Sequence, residues 1–124
     1  MAEHPTGADA RPPYQVVKPW GYELVWARTD RYVGKILHIE AGQVLSLQYH
    51  TRKDETIHVL RGEILLRIQL GEELTERRMR EGESYHITPP TIHQMEAVTT
   101  ADLLEVSTPE VEDVIRLQDK YGRA

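Results

Sequence analysis

Gly42-Gln43-Val44-Leu45-Ser46-Leu47-Gln48-Tyr49-His50-Thr51-Arg52-Lys53-Asp54-Glu55-Thr56-Ile57-His58-Val59-Leu60-Arg61-Gly62 is the stretch that decides how this chain is read. Gln48 and His50 are two residues apart, so on a β-strand both point to the same face. Four polar residues, 51–54, then give the chain room to turn before Glu55. Beyond the turn, alternation puts Glu55, Ile57 and Val59 on one face and His58 on the other. An amide oxygen, an imidazole and a carboxylate are thereby aimed at one point, and His93, from a second hairpin, completes the set. Nitrogen and oxygen donors of this mixture suit a divalent cation, zinc first, with manganese, iron, nickel or cobalt as alternatives. The competing reading leaves the four polar side chains hydrogen-bonded to one another without an ion. It carries the several kcal/mol cost of a buried, uncompensated carboxylate.

Working outward from this stretch, short apolar runs bounded by Gly, Pro or charge recur at 22–26, 32–39, 43–50, 56–60, 64–70, 84–87, 93–98 and 103–107. Their length and spacing predict short antiparallel strands in a sandwich or barrel. Arg61-Gly62-Glu63 and Glu81-Gly82-Glu83 read as hairpin turns, and the charged run 72–78 as a solvated hairpin tip. Residues 109–120 alone have helical character, with Val111, Val114, Ile115 and Gln118 near one face. Residues 1–13, rich in Pro, Gly, Ala and charge, read as a flexible arm ahead of a single domain over 14–124. Within strands, parity places Lys35 with Leu37 and Ile39 on a mostly apolar inner wall. It turns His50 and His93 inward and His38, His58 and His86 outward.

Composition narrows the function classes. A chain of 124 residues fits one domain with its own core. It has no Cys, hence neither disulfides nor thiolate metal ligands, and no Phe, so Leu, Ile, Val, Tyr and two Trp must fill the interior. A net charge of -5 argues against nucleic acid as a partner. No apolar stretch approaches the roughly 20 residues of a membrane span, and Met1-Ala2-Glu3-His4-Pro5 lacks the apolar core of a secretion signal. A cytoplasmic protein with no membrane partner is the expectation.

The spacing Gly42-x5-Gln48-x-His50-x4-Glu55-x6-Gly62 resembles the first motif of the cupin superfamily, and Gly82 through His93 resembles the second. Gln48 stands where many cupins have a first His, and Pro89-Pro90 where a Pro-x-Gly turn is usual. Within that superfamily the chain is most similar to the cupin domain of type II mannose-6-phosphate isomerases, which share Gln-x-His-x4-Glu. Lys18-Pro19-Trp20-Gly21 is similar to their opening Arg-Pro-Trp-Gly. Asp113-Val114-Ile115-Arg116-Leu117-Gln118-Asp119-Lys120-Tyr121-Gly122-Arg123 is similar to their closing segment. The likeness covers roughly residues 15–123.

The resemblance implies a small all-β cupin (jelly-roll) barrel with a short C-terminal helix. It also implies a metal held by Gln48, His50, Glu55 and His93, and a homodimer formed through the edges of the strands at 22–26 and 32–39. Many such isomerases carry a nucleotidyltransferase domain ahead of the cupin. The sequence carries none, so the expected activity is the isomerase half alone: aldose–ketose isomerisation of a sugar or sugar phosphate. That chemistry needs a base and a phosphate clamp. Lys35 serves as base or as cation, unless it merely reaches solvent from a strand end. Arg116, with Arg123, serves as a bidentate clamp, unless it pairs with Glu112 or Asp113 on a helix surface. Glu105 is a second base candidate, unless it is an edge-strand surface carboxylate. A cupin oxygenase or other small-metabolite enzyme, and a non-catalytic sugar-binding cupin, are the alternatives.

Overall fold

A computed structural model describes residues 13–110 and 112–124. Apart from Pro13, the arm expected over 1–13 lies outside the described residues, as does Val111. Eleven strands follow in order: β1 (Tyr14–Lys18), β2 (Gly21–Arg28), β3 (Val33–Ile39), β4 (Leu47–His50), β5 (Glu55–Arg61), β6 (Ile64–Leu70), β7 (Glu73–Met79), β8 (Ser84–Ile87), β9 (His93–Ala97), β10 (Ala101–Ser107) and β11 (Val114–Gln118). They form two antiparallel sheets, one ordered β1-β2-β3-β10-β5-β8 and the other β11-β4-β9-β6-β7.

Period-2 alternation builds the core. Ile57 and Val59 of β5, Ile64, Leu66 and Ile68 of β6, and Leu103 of β10 point into the gap between the sheets with Leu37, Ile39 and Met79. Aliphatic side chains thus fill the space that aromatics often fill elsewhere, each contributing about 1.5–3 kcal/mol when fully buried. Lys35 shares the inner side of β3 with Leu37 and Ile39, as the parity predicts, and Trp20 packs beneath them. No helix among the described residues is long and apolar enough to cross a membrane.

Four expectations are corrected. First, among the described residues no ladder joins one sheet to the other, so the fold is an open two-sheet sandwich and not the closed barrel expected. Second, the turns at Gly62 and Gly82 take the chain from one sheet to the other, β5 to β6 and β7 to β8, and neither is a hairpin. The run 72–78 is correspondingly not a tip but mostly β7 itself, an exposed charged edge strand paired to β6. Third, the described residues form no C-terminal helix. Val114, Ile115, Arg116 and Gln118 pair with β4. β-Branched Val114 and Ile115 favour an extended chain, and the open edge of β4 supplies the hydrogen bonds. Alternation then turns Val114 and Arg116 inward and leaves Ile115 and Leu117 exposed. Fourth, β2 and β3 have no free edges, since β1 covers β2 and β10 covers β3.

Gly62 has φ +88°, and a Cβ there would lie 2.4 Å from the Thr100 carbonyl oxygen. Gly42 has a similar φ of +82° but open space around it. Replacing each by Ala separates the two penalties. Both variants carry the left-handed cost of about 1 kcal/mol. Gly62→Ala is expected to lose at least about 1 kcal/mol more, because backbone must move. Urea unfolding of the two variants measures this; equal losses would show that the Gly62 crossing tolerates a side chain.

Candidate metal centre

The two sheets meet at the residues singled out by their spacing. Gln48 and His50 end β4, Glu55 opens β5 and His93 opens β9. Gln48 lies directly across from His93 in the β4–β9 ladder. Glu55 comes from the opposite sheet, carried there by the loop 51–54. His50, Glu55 and His93 are buried, and one donor atom from each falls within 4.8 Å of the other two. Glu55 Oε2 lies 3.1 Å from His50 Nε2 and 3.5 Å from His93 Nε2. His38, His58 and His86, by contrast, pair on the outer side with Asp102 and Glu40, Ser84, and Asp54 respectively.

Backbone carbonyls orient both imidazoles. His50 Nδ1 lies 3.0 Å from the Asp113 carbonyl and His93 Nδ1 lies 2.9 Å from that of Thr91. A carbonyl only accepts, so each Nδ1 carries the proton and each Nε2 faces the carboxylate. Burial pushes His93 further down from the ordinary imidazole value, against the attraction of Glu55, and so favours the neutral, ligating form. Burial alone would raise Glu55; a hydrogen bond from the His50 ring, available when that ring carries both protons, and the Lys53 charge outweigh it and bring the carboxyl to about 2. With each ring protonated at Nδ1 alone, an ionised oxygen and imidazole lone pairs meet in a dry space. Glu55 Oε2 and His93 Nε2 are both buried without a hydrogen-bond partner. Acceptors aimed at one another are satisfied by a cation, so the residues fit a divalent metal ion. Gln48 turns its amide nitrogen towards His50 Nε2 at 3.4 Å while its oxygen accepts from Ser46 at 2.5 Å. Rotation of the amide would offer the oxygen as a fourth, neutral ligand.

The other expected residues share one cavity of about 360 Å³, lined by Lys35, Gln48, His50, Glu55, Glu105 and Arg116 among others, with His93 behind its wall. Glu105 is no edge-strand surface carboxylate: it is buried at the middle of β10, between β3 and β5. Burial and the Glu55 charge push its carboxyl up to about 7, against the pull of Lys53 and Lys35. Lys35 does not reach solvent by itself but pairs with Glu23 at 3.1 Å. Arg116 extends from β11 with its Nε buried and without a hydrogen-bond partner, so it is not the surface-helix ion pair considered above. Arg123 lines the same cavity but is engaged by Asp119 through two bonds, at 2.8 and 3.0 Å.

Lys53 was not anticipated. Its buried ammonium lies 3.2 Å from Glu105 Oε2 and 3.9 Å from Glu55 Oε1. Burial would lower it, yet the charges of Glu105 and Glu55 raise it above the usual lysine value. The available signal was parity: Lys53 precedes Glu55 by two, and two inward carboxylates demand a counter-charge. Glu23 was likewise unread, and Asp113 was considered only as a partner for Arg116, whereas it holds residues 51–53, some 60 positions away.

The comparisons with known proteins agree with this geometry. A family model described as mannose-6-phosphate isomerase C-terminal matches residues 8–119. The mannose-1-phosphate guanylyltransferases of Escherichia coli and Salmonella typhimurium (the latter ManC) are 34% and 33% identical to it over 115 residues. Each match takes in 88% of this chain but only 23% of the relative's length. KdgF from Halomonas sp. superposes with a TM-score of 0.71 at 21% identity, covering 80% of this chain and 89% of its own, which shows the shared fold. Two sheets enclosing a His–Glu–His cluster at cupin spacing, and a family match over nearly the whole chain, place this protein in the mannose-6-phosphate isomerase C-terminal family of cupins.

Proposed function

We propose that this protein is a metal-dependent aldose–ketose isomerase acting on a sugar phosphate, most like mannose-6-phosphate isomerase. The observation that carries the reading is the pair of unpartnered, buried acceptors, Glu55 Oε2 and His93 Nε2, facing His50 beside a cavity that also holds Glu105 and Arg116. The relatives' name supports a mannose phosphate as the ligand class.

Isomerisation moves a proton between C2 and C1 while the carbonyl changes place. His50, Glu55, His93 and the oxygen of Gln48 would hold the cation, with zinc the first choice. When bound, it supplies Lewis acidity to the substrate oxygens beside the proton that moves. Gln48 adds no charge, so the ligand set carries one negative charge and leaves the ion electropositive. Glu105 is the base: a carboxyl near neutrality can take a proton from one carbon and return it to the next at physiological pH. Lys53 stabilises its ionised form at 3.2 Å. Lys35, paired with Glu23, lies across β3–β10 from Glu105 and contributes positive potential to the same wall. Arg116 receives the phosphate, since its guanidinium has bonding capacity to spare where Arg123 has committed two bonds to Asp119. Such charged substrates do not cross bilayers, which fits a cytoplasmic enzyme.

Homodimerisation is part of the same proposal, though through a face and not through the edges of β2 and β3. Trp26 covers Gly34, whose ladder neighbour is Val106; Trp26 and Val106 are 47% and 50% exposed. Sedimentation is expected to give a dimer that Trp26→Glu dissociates; a wild-type monomer at all concentrations would remove the idea.

The central test mixes chelated and then zinc-, manganese- or cobalt-reconstituted protein with mannose 6-phosphate and follows fructose 6-phosphate. Turnover that needs the ion is expected. No turnover with any hexose phosphate, or oxygen consumption by iron-loaded protein, would move the protein to another cupin chemistry. Elemental analysis should find the ion lost in His50→Ala and in His93→Ala, and loading by the wild type should weaken as pH falls, because protons compete for the imidazole nitrogens.

Single substitutions separate the remaining roles. Glu105→Gln should keep its metal and lose about 10²–10⁴-fold in kcat, the usual range for a lost general base. Arg116→Ala should raise KM about 10- to 150-fold for the phosphorylated sugar, as expected for a hydrogen bond to a charged group. An unchanged kcat in the first variant, or an unchanged KM in the second, would remove that residue from the mechanism.

A further inference from the structure

The loop 51–54 is the only chain between two of the candidate ligands, His50 and Glu55, and every backbone N–H in it is held by one distant segment. The Asp113 carboxylate accepts from three successive amides: Thr51 at 3.2 Å through Oδ1, and Arg52 at 2.6 Å and Lys53 at 2.9 Å through Oδ2. The Thr51 hydroxyl donates to the same Oδ1. Asp54 N donates to Thr108 Oγ1 at 3.0 Å, and Thr108 N returns a bond to the Asp54 carbonyl at 3.0 Å. Consecutive amides converging on one carboxylate form a nest, a concavity that the anion locks into shape. The backbone of Asp113 does a second task, because its carbonyl accepts from His50 Nδ1 and so keeps the His50 Nε2 turned towards Glu55.

We propose that Asp113 is a positioning residue of the metal centre, clasping the loop that joins His50 to Glu55 so that both ligands are held at the spacing an ion needs. It touches neither ion nor substrate. It acts through three ordered amides and one imidazole, and it also fixes the start of Lys53, whose ammonium balances Glu55 and Glu105. Preorganisation of this kind appears as metal affinity, because a loop that is already in place loses no freedom when the ion binds. The inference rests on the reading of His50, Glu55 and His93 as ligands.

Cobalt titration of metal-free protein, followed by visible absorption, tests it. Asp113→Ala removes all the side-chain bonds but leaves the carbonyl on His50. Asp113→Asn keeps one acceptor for Thr51 and loses the acceptor for Arg52 and Lys53. Leu117→Ala, exposed on β11, the strand that follows Asp113, controls for general loosening of that strand. Asp113→Ala is expected to bind cobalt about 10- to 100-fold more weakly, with an altered spectrum, as for other partners behind a metal ligand. Asp113→Asn should fall between it and the wild type, and Leu117→Ala should match the wild type. Should Asp113→Ala fail to fold, the asparagine variant decides. Aspartate variants within twofold of the wild type, or an equal loss in Leu117→Ala, would overturn the clasp alone. A wild type that gives no cobalt spectrum would instead overturn the metal centre on which it stands.

Discussion

Glu55 carries a full negative charge where almost no water reaches it, and the surrounding chain is arranged around that fact. Taking a carboxylate out of water costs several kcal/mol even after relaxation. Lys53, at 3.9 Å, returns part of this: two unit charges about 4 Å apart attract by about 4 kcal/mol at an effective dielectric of 20. But the same ammonium is shared with Glu105, at the shorter distance of 3.2 Å. One cation cannot neutralise two adjacent carboxylates, so Glu105 retains its proton to near neutrality while Glu55 stays ionised. The unequal split gives the cavity one carboxyl able to exchange a proton and one able to ligate, as required of two acids doing different work.

The fold supplies this arrangement by drawing on both sheets. Glu55 and Glu105 belong to the sheet of β5 and β10, and Gln48, His50 and His93 to the sheet of β4 and β9. A strand that alternates apolar and polar residues normally buries only the apolar set. Here β5, β9 and β10 carry a polar residue at one end or in the middle of the buried face. The apolar layer of Ile57, Val59, Leu66 and Leu103 fills the rest of the gap and excludes water, which strengthens every charge interaction above it.

Much of this was legible in the sequence. Strands with a buried face, such as β6 and β8, announced themselves by alternation and fell within the expected residues, and parity sorted inward from outward histidines. The elements that escaped have no such face. β7 is polar along nearly its whole length, because an edge strand exposed on both sides needs no apolar period. β1 and β11 are half-buried strands at sheet edges, and in the sequence leading into and through β11 the spacing of Val111, Val114, Ile115 and Gln118 imitates a helix. What decides its form is the open edge of β4, a non-local fact. Closure failed to show for the same reason: whether a glycine turn joins neighbours or crosses between sheets depends on what lies opposite. Lys53 escaped because four polar residues in a row read as solvent-facing turn, and only Glu105, 52 positions on in the chain, reveals that one of them is buried.

Because the donors come from opposing sheets, an ion seated among them would rivet the two halves of the sandwich together at one end. The apolar layer fastens the middle, whereas among the described residues the rim where Glu55 faces His93 is polar. With an ion bound there, thermal robustness would follow free cation concentration, rising by RT ln(1 + [M]/Kd) as the rivet fills. Without such an ion, that end of the sandwich would rest on the loop 51–54 and its bonds to Asp113.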